Sequence, residues 1–149
     1  MYPYIMYINF LNNIVMKKFL LMLVMVIGFV STVDAQVYEY KTTAFAYKSV
    51  NDYGNWTSWS DWEESNIYVT INFTTDVVTV YSPKTQRYRI TEHVRNYTDN
   101  SGGKQMEFRF YDQDGDRGVM RLRTERNGNN QLYIEFNNVM WVYNVKRIN

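Results

Sequence analysis

The stretch IYVTINF, at residues 67–73, alternates apolar and polar side chains at every step. Such a period of two places the apolar residues on one face of a β-strand and the polar ones, among them Tyr68, on the other. The apolar segment VVTVYS begins only three residues later, after Thr74-Thr75-Asp76, which is a spacing typical of a tight hairpin. The stretch therefore predicts two antiparallel strands that share one buried face.

The same alternation recurs from Gln36 to the end of the chain. Between the apolar segments lie SPKT, TDNSGGK, DQDGDRG and NGNN, which consist mostly of residues that favour turns. Eight or nine strands with short connections predict a single antiparallel meander. We expect an all-β fold in which the meander forms a small closed or partly open β-barrel, lipocalin-like in general shape, with a β-sandwich as the alternative.

The sequence MKKFLLMLVMVIGFVSTVDAQ, from Met16, has the basic start, apolar run and small-residue exit of a secretory signal. It predicts a signal peptide at residues 16–35, cleavage after Ala35, and export to the periplasm or beyond. We interpret residues 1–15 as an upstream extension from a start codon assigned too early. The alternative is a retained membrane anchor with Lys17 and Lys18 near its middle, at a cost of ~2.5–3.5 kcal/mol each.

The mature chain, residues 36–149, is predicted to be one domain without a stable membrane anchor. Removal of residues 1–35 takes away two lysines and one aspartate, so the net charge changes from +1 to +1 − 2 + 1 = 0. A neutral chain offers no basic field that would attract nucleic acid. Because the sequence contains no cysteine, neither a disulfide framework nor a lipid attachment site is available, which favours a bacterial or phage origin.

Three tryptophans are spaced three residues apart in NWTSWSDW, at residues 55–62. The motif resembles the tryptophan motif of thrombospondin type 1 repeats, in which tryptophans stack with arginines from a neighbouring strand. Those repeats also require cysteines, so we interpret this likeness of eight residues as convergent. The overlapping WSDWE resembles the WSXWS box of cytokine receptors, but Glu63 replaces the second serine.

A broader resemblance covers most of the mature chain. The start AQVYEYKTT, the block that runs from the tryptophans through WSDWEESNIYVTIN, and the end NVMWVYNV resemble small secreted all-β proteins of unknown function from gut-type bacteria and their phages. This resemblance implies an exported β-protein and no particular activity.

The spacing of the tryptophans predicts different environments for them. In a regular strand, residues three apart lie on opposite faces, so Trp56 and Trp62 share one face and Trp59 takes the other. Continuation of the parity into residues 67–73 predicts Trp59 in the core, with Trp56 and Trp62 as outer binding platforms near Tyr68. The alternative is that all three tryptophans fill the barrel.

The segment QRYRITEHVRNY predicts a strand with Arg87 and Arg89 on its outer face as further ligand-binding candidates. Its apolar positions place Glu92 inward, where a charge must be paired or must mark a wet ligand cavity. A β-bulge that turns Glu92 outward is the alternative. The only histidine, His93, is expected on the outer face.

The sequence predicts no catalytic residue, no metal site and no cofactor. Glu107 and Glu135 are the best outward carboxylates for a hydrolase, but nearby arginines favour ordinary cross-strand ion pairs. DQDGDRG lacks both the glycine and the bidentate glutamate of a calcium loop, so we interpret it as a hairpin turn.

These observations favour an exported, non-catalytic binding module that uses an aromatic and arginine-rich surface for a glycan or a peptide. A structural protein that assembles through an edge strand is the second hypothesis. A glycan hydrolase is the third.

Overall fold

A computed structural model describes residues 36–148 of the protein. These residues form nine β-strands and no helix. The strands are β1 Val37–Ser49, β2 Glu63–Glu64, β3 Tyr68–Asn72, β4 Val77–Val80, β5 Gln86–Thr98, β6 Lys104–Tyr111, β7 Arg117–Thr124, β8 Asn130–Glu135 and β9 Val139–Arg147. Within this range, no helix is long and apolar enough to span a membrane. The all-β prediction is confirmed.

The strands form one antiparallel sheet that closes on itself. Each strand from β3 to β8 pairs with the next one along the chain, and the first half of β1 pairs with β3. The sheet closes because β1 also pairs with β9 from Tyr40 to Ser49, with a register shift between Thr42 and Ala44. Eight strands thus make a closed barrel, and the two-residue β2 is added beside the second half of β1. The barrel prediction is confirmed, and the sandwich alternative is wrong.

The predicted hairpin joins β3 to β4. Its register sets Asn72 opposite Val77, and Asp76 has a φ of 54°, in the left-handed region that aspartate tolerates better than most residues. The side chain of Asn72 accepts hydrogen bonds from the backbone N–H groups of Thr74 and Thr75. The turn sequence therefore sets the register that buries Val69 and Ile71.

Alternate residues of the barrel strands point inward and form one apolar core. The largest fully buried side chains include Phe108, Phe110, Ile71, Met120 and Leu132. Aromatic pairs continue the packing toward one end, where the ring of Phe136 contacts the rings of Phe110 and Trp141. Side chains fill the interior, as expected for a barrel of eight strands.

β5 contains two register shifts, one between Ile90 and Glu92 and one between His93 and Arg95. The first shift turns Glu92 outward, where its side chain is 58% exposed and forms an ion pair with Arg109. The prediction of an inward Glu92 in a wet cavity is therefore wrong, and the bulge alternative is confirmed.

His93 is exposed, as predicted, and its Nε2 lies 3.0 Å from Asn96 Oδ1. The shifted register sets His93 opposite Phe108, and the two rings lie 5.8 Å apart.

The described residues fall within one compact unit, Ala35–Asn149. The predicted signal peptide, its cleavage site and the upstream extension lie outside the described residues, so these remain predictions.

Candidate functional site

Residues 56–64, which we call the tryptophan arm, run back along the second half of β1. A turn at residues 51–55 reverses the chain, and a bridge between Val50 and Trp56 begins the pairing. The backbone N–H of Thr57 then donates to the carbonyl of Ser49 at 2.8 Å, and that of Ser60 donates to the carbonyl of Tyr47 at 2.8 Å. The arm is thus held to the edge of β1, beyond the part of that edge that pairs with β3.

The arm and β1 pair with unequal spacing. Successive contacts are three residues apart on the arm, at Thr57 and Ser60, but two apart on β1, at Ser49 and Tyr47. The extra residue removes the backbone carbonyl that a regular ladder would supply. Side-chain hydroxyls replace it, because Thr57 Oγ1 accepts from the N–H of Ser49 at 3.1 Å and Ser60 Oγ accepts from the N–H of Tyr47 at 3.0 Å.

This spacing places all three tryptophans outside the barrel. Trp56, Trp59 and Trp62 are 39%, 41% and 50% exposed, respectively. The prediction of Trp59 in the core is therefore wrong, as is the alternative in which all three fill the barrel. The alternation of faces in a regular strand does not apply to the arm, because every three residues of the arm pair with only two residues of β1. The outer positions of Trp56 and Trp62 agree with the prediction.

Aromatic rings and cations form one connected series beside the arm. The ammonium group of Lys48 lies 5.0 Å from the ring centroids of both Trp56 and Trp59. The ring of Trp59 meets that of Tyr133 edge to face at 6.3 Å, and the guanidinium of Arg121 lies 5.1 Å from the Tyr133 centroid. We call this series of five side chains the cation–aromatic ladder. Each cation–π contact at such a site contributes ~0.5–1 kcal/mol.

The ladder covers an apolar layer on the outside of the barrel. Val142 lies between Trp141 and Tyr143, which both pack into the interior, so its own side chain points outward. It is nevertheless buried, as is its cross-strand neighbour Ala46. The backbone of Trp59 lies beside β1, whereas its ring contacts Tyr133 on β8. The indole therefore passes over Ala46 of β1 and Val142 of β9, which lie between these two positions. The tryptophan arm therefore has a structural role as well as an exposed surface.

Two partly buried arginines connect β7 to neighbouring parts of the barrel. Arg121 pairs with Glu135 at 3.1 Å, while Arg123 pairs with Asp99 at 2.9 Å. Asp99 also accepts hydrogen bonds from Ser101, Gln105 and the backbone of the β5–β6 turn. The Ser101 hydroxyl and the Arg123 guanidinium together hold the pKa of Asp99 well below its usual range. The same ion pair raises the pKa of Arg123.

Trp62 lies at the far end of the arm, beside an open groove of about 390 Å³. It makes no hydrogen bond, ring contact or cation contact with another of the residues 36–148, in contrast to Trp56 and Trp59. The other residues that line this groove, which we call the Trp62 groove, are all polar. They are Thr43, Glu125, Asn129, Asn130, Gln131 and Asn144.

Several polar atoms in the Trp62 groove have no partner among the described residues. Gln131 is engaged, because its amide donates to Asn144 Oδ1 and its carbonyl oxygen accepts from Tyr133 and Arg123. The Nδ2 group of Asn144 and the side-chain amide of Asn129 remain open. One carboxylate oxygen of Glu125 accepts from Arg123, and the other is open. The groove thus presents both donors and acceptors beside an exposed indole.

The predicted site residues fall into separate regions. Trp56 and Trp62 lie on the same arm, as predicted. Tyr68 is exposed on the neighbouring β3, where Lys41 lies 5.6 Å from its ring centroid. Arg87, Arg89 and Glu92 are also exposed, but they lie on β5, which is separated from β1 by β3 and β4. The structure therefore does not bring these three residues together with the tryptophans.

Sequence reasoning missed Lys48, Arg121 and the groove residues Asn129 and Asn144. Their roles depend on pairing between β1, β9 and β8. The turn sequence NGNN marked Asn129 only as part of a loop. The sequence offered one signal for the ladder, the likeness to a motif in which tryptophans stack with cations of a neighbouring strand.

The remaining polar candidates have structural roles. Glu107 pairs with Arg95 at 3.5 Å and Glu135 with Arg121, which confirms the predicted cross-strand ion pairs. DQDGDRG forms the turn between β6 and β7, in which Asp112 accepts from the backbone N–H groups of two following aspartates. In the described part of the chain, no group of three or more histidine, aspartate or glutamate side chains is arranged to hold a metal ion.

No family model matches this chain, and neither a curated protein nor a solved structure shows significant similarity to it. The resemblance to small secreted bacterial and phage proteins therefore stays a prediction.

Proposed function

We propose that this protein is an exported glycan-binding module whose site is the Trp62 groove. The observation that carries the proposal is an exposed indole without an internal partner, placed beside a groove lined only by polar side chains. Ligand sites commonly combine an aromatic surface with a few placed polar groups, and a volume of about 390 Å³ lies at the small end of their range.

The chemistry of the groove favours a sugar over a peptide. A pyranose ring has an apolar face of C–H groups that can pack on the indole of Trp62, and hydroxyls at its edge that both donate and accept. The amides of Asn129 and Asn144 and the free oxygen of Glu125 offer the matching donors and acceptors. A peptide side chain would satisfy fewer of them, and each unmatched polar group would weaken binding.

The contrast among the tryptophans supports the choice of Trp62. Lys48 occupies the space between Trp56 and Trp59, and Trp59 also packs against Tyr133. Those two rings therefore already serve the fold. A ring that is exposed without such contacts gains more from a ligand, as the aromatic anchors of binding surfaces do.

A glycan panel tested against the purified protein examines this proposal. We expect at least one oligosaccharide to bind, and Trp62→Ala to weaken its binding at least thirtyfold, as for an aromatic hot spot. Tyr53→Ala is the matched control, because Tyr53 is an aromatic residue that is 88% exposed on the turn at residues 51–55. Failure of the whole panel to bind, or equal loss in the two variants, would contradict the proposal.

Assembly through an edge strand, the second hypothesis, has one observation in its favour. β4 covers one edge of β5 only as far as Arg89. From there to Thr98, no other described strand pairs with this edge of β5. Both bulges of β5 fall in this part of the strand, however, and bulges are a common means of preventing edge pairing. Light scattering at high concentration tests the hypothesis, which predicts a dimer or larger species.

A further inference from the structure

A second groove lies at the end of the barrel where β5 ends and β6 begins. One cross-strand row forms its rim, in which Thr98, Lys104 and Thr124 lie opposite one another on three successive strands. This groove, which we call the rim groove, has a volume of about 430 Å³. Such barrel ends are among the preferred positions of ligand sites.

The rim groove combines an apolar floor with one positive charge. Met106 and Leu122 form the floor, and both pack against the interior core. Lys104 is exposed and forms no ion pair with another described residue, and no carboxylate lines the groove. The charge and the floor together fit a group that has an apolar face and a negatively charged substituent.

The two grooves meet at a single hydrogen-bonded pair. Thr124 lines the rim groove, Asn130 lines the Trp62 groove, and Thr124 Oγ1 donates to Asn130 Oδ1 at 2.7 Å. This pair is at the edge of the barrel, where β7 turns into β8. An oligosaccharide that is bound on Trp62 and extends across this pair would enter the rim groove.

We infer that the ligand is an acidic oligosaccharide that occupies both grooves. A neutral unit stacks on Trp62, and a unit that carries a carboxylate or a sulfate lies over Met106 and Leu122 with its negative group beside Lys104. This inference rests on the proposed glycan-binding function and deepens it, because it names the substrate class and a residue that determines specificity.

The test compares matched oligosaccharides of the same backbone in neutral, carboxylated and sulfated forms. We expect the wild-type protein to bind a charged form about tenfold more tightly than the neutral one, as for one charge-assisted hydrogen bond. Lys104→Gln should remove this preference and change neutral binding less than twofold. Lys84→Gln, in the exposed β4–β5 turn, is the matched control and should change neither. Whether the carboxylate or the sulfate accounts for the preference identifies the acidic group.

Salt dependence provides a second readout, because only the charged interaction is screened. The preference of the wild-type protein for the charged form should fall as ionic strength rises, and Lys104→Gln should show no such dependence. Equal binding of neutral and charged forms by the wild-type protein, or equal behaviour of Lys104→Gln and Lys84→Gln, would overturn the acidic inference. In that outcome a loss of binding in Trp62→Ala would still support the proposed function. Absence of binding to every form would overturn both.

Discussion

Removal of the two hydroxyls that connect the tryptophan arm to β1 should destabilise the protein by a calculable amount. The backbone carbonyls of Tyr47 and Ser49 on β1 accept hydrogen bonds from N–H groups of the arm. The N–H groups of the same two residues point in the same direction, toward the arm. Ser60 Oγ and Thr57 Oγ1 are the acceptors for these two N–H groups. Ser60→Ala and Thr57→Val would remove one acceptor each.

Each lost hydrogen bond should cost ~1 kcal/mol, since the typical net contribution is ~0.5–1.5 kcal/mol and water can reach part of this exposed region. The two hydroxyls bond to different residues, so their effects should add, and the double variant Thr57→Val/Ser60→Ala should lose ~2 kcal/mol of unfolding free energy. For a domain of this size, 1 kcal/mol corresponds to about 4 °C in Tm. We therefore expect thermal melts to shift down by about 4 °C for each single variant and about 8 °C for the double variant.

Ser58→Ala provides the control, because Ser58 lies between the two hydroxyls, is exposed, and makes no side-chain hydrogen bond to another described residue. Its stability should stay within ~0.5 kcal/mol of the wild type. A Ser58→Ala shift as large as that of Ser60→Ala, or a double variant within 1 °C of the wild type, would refute the role that we assign to the hydroxyls.

Three further changes test other parts of the structure. Trp59→Ala removes on the order of 150 Å² of buried surface, so urea melts should show a loss of ~2–3 kcal/mol; a loss under ~1 kcal/mol would contradict the outer apolar layer. Because the pKa of Asp99 is lowered in the folded protein, its contribution to stability is present above pH ~4 and lost below it. Asp99→Asn should therefore lower Tm at pH 7 but progressively less as the pH falls below ~4, and a constant difference would count against this. Gly118→Ala would place a methyl group against the backbone carbonyl of Glu135 and the ring of Phe110, so we expect a loss of ~1–3 kcal/mol, and unchanged melts would disprove this close approach.

The sequence predicts the strands well because alternation is a local signal. β3 and β4 are correctly predicted together with their hairpin, since the spacing and the turn residues point to the same register. Closure of the barrel is not local. It depends on the pairing of β1 with β9, the first and last strands of the described residues. The sequence therefore left the barrel and the sandwich as alternatives.

The alternation of inward and outward side chains is interrupted where one strand has more residues than the strand that it pairs with. β5 has two extra residues relative to β6, and each reverses the face that the following residues occupy. Because residues 91–93 are all polar, no break in the apolar pattern marks the first bulge, and the pattern predicts the wrong face for Glu92. The prediction for Trp59 is wrong for the same physical reason, because three residues of the arm pair with two residues of β1.

The unequal pairing also explains why the last tryptophan is the one suited to a ligand. Each three-residue unit of the arm advances two residues along β1, so successive tryptophans lie over successive outward positions of β1. Trp56 lies opposite Val50, and Lys48, two residues away on β1, places its ammonium group 5.0 Å from the ring centroids of both Trp56 and Trp59. The next outward residue is Ala46, whose short side chain cannot extend the series of cations and rings. The chain itself thus completes the ladder at one end. At the other end it leaves the indole of Trp62 beside the open amide groups of Asn129 and Asn144, where the proposed sugar ring would pack.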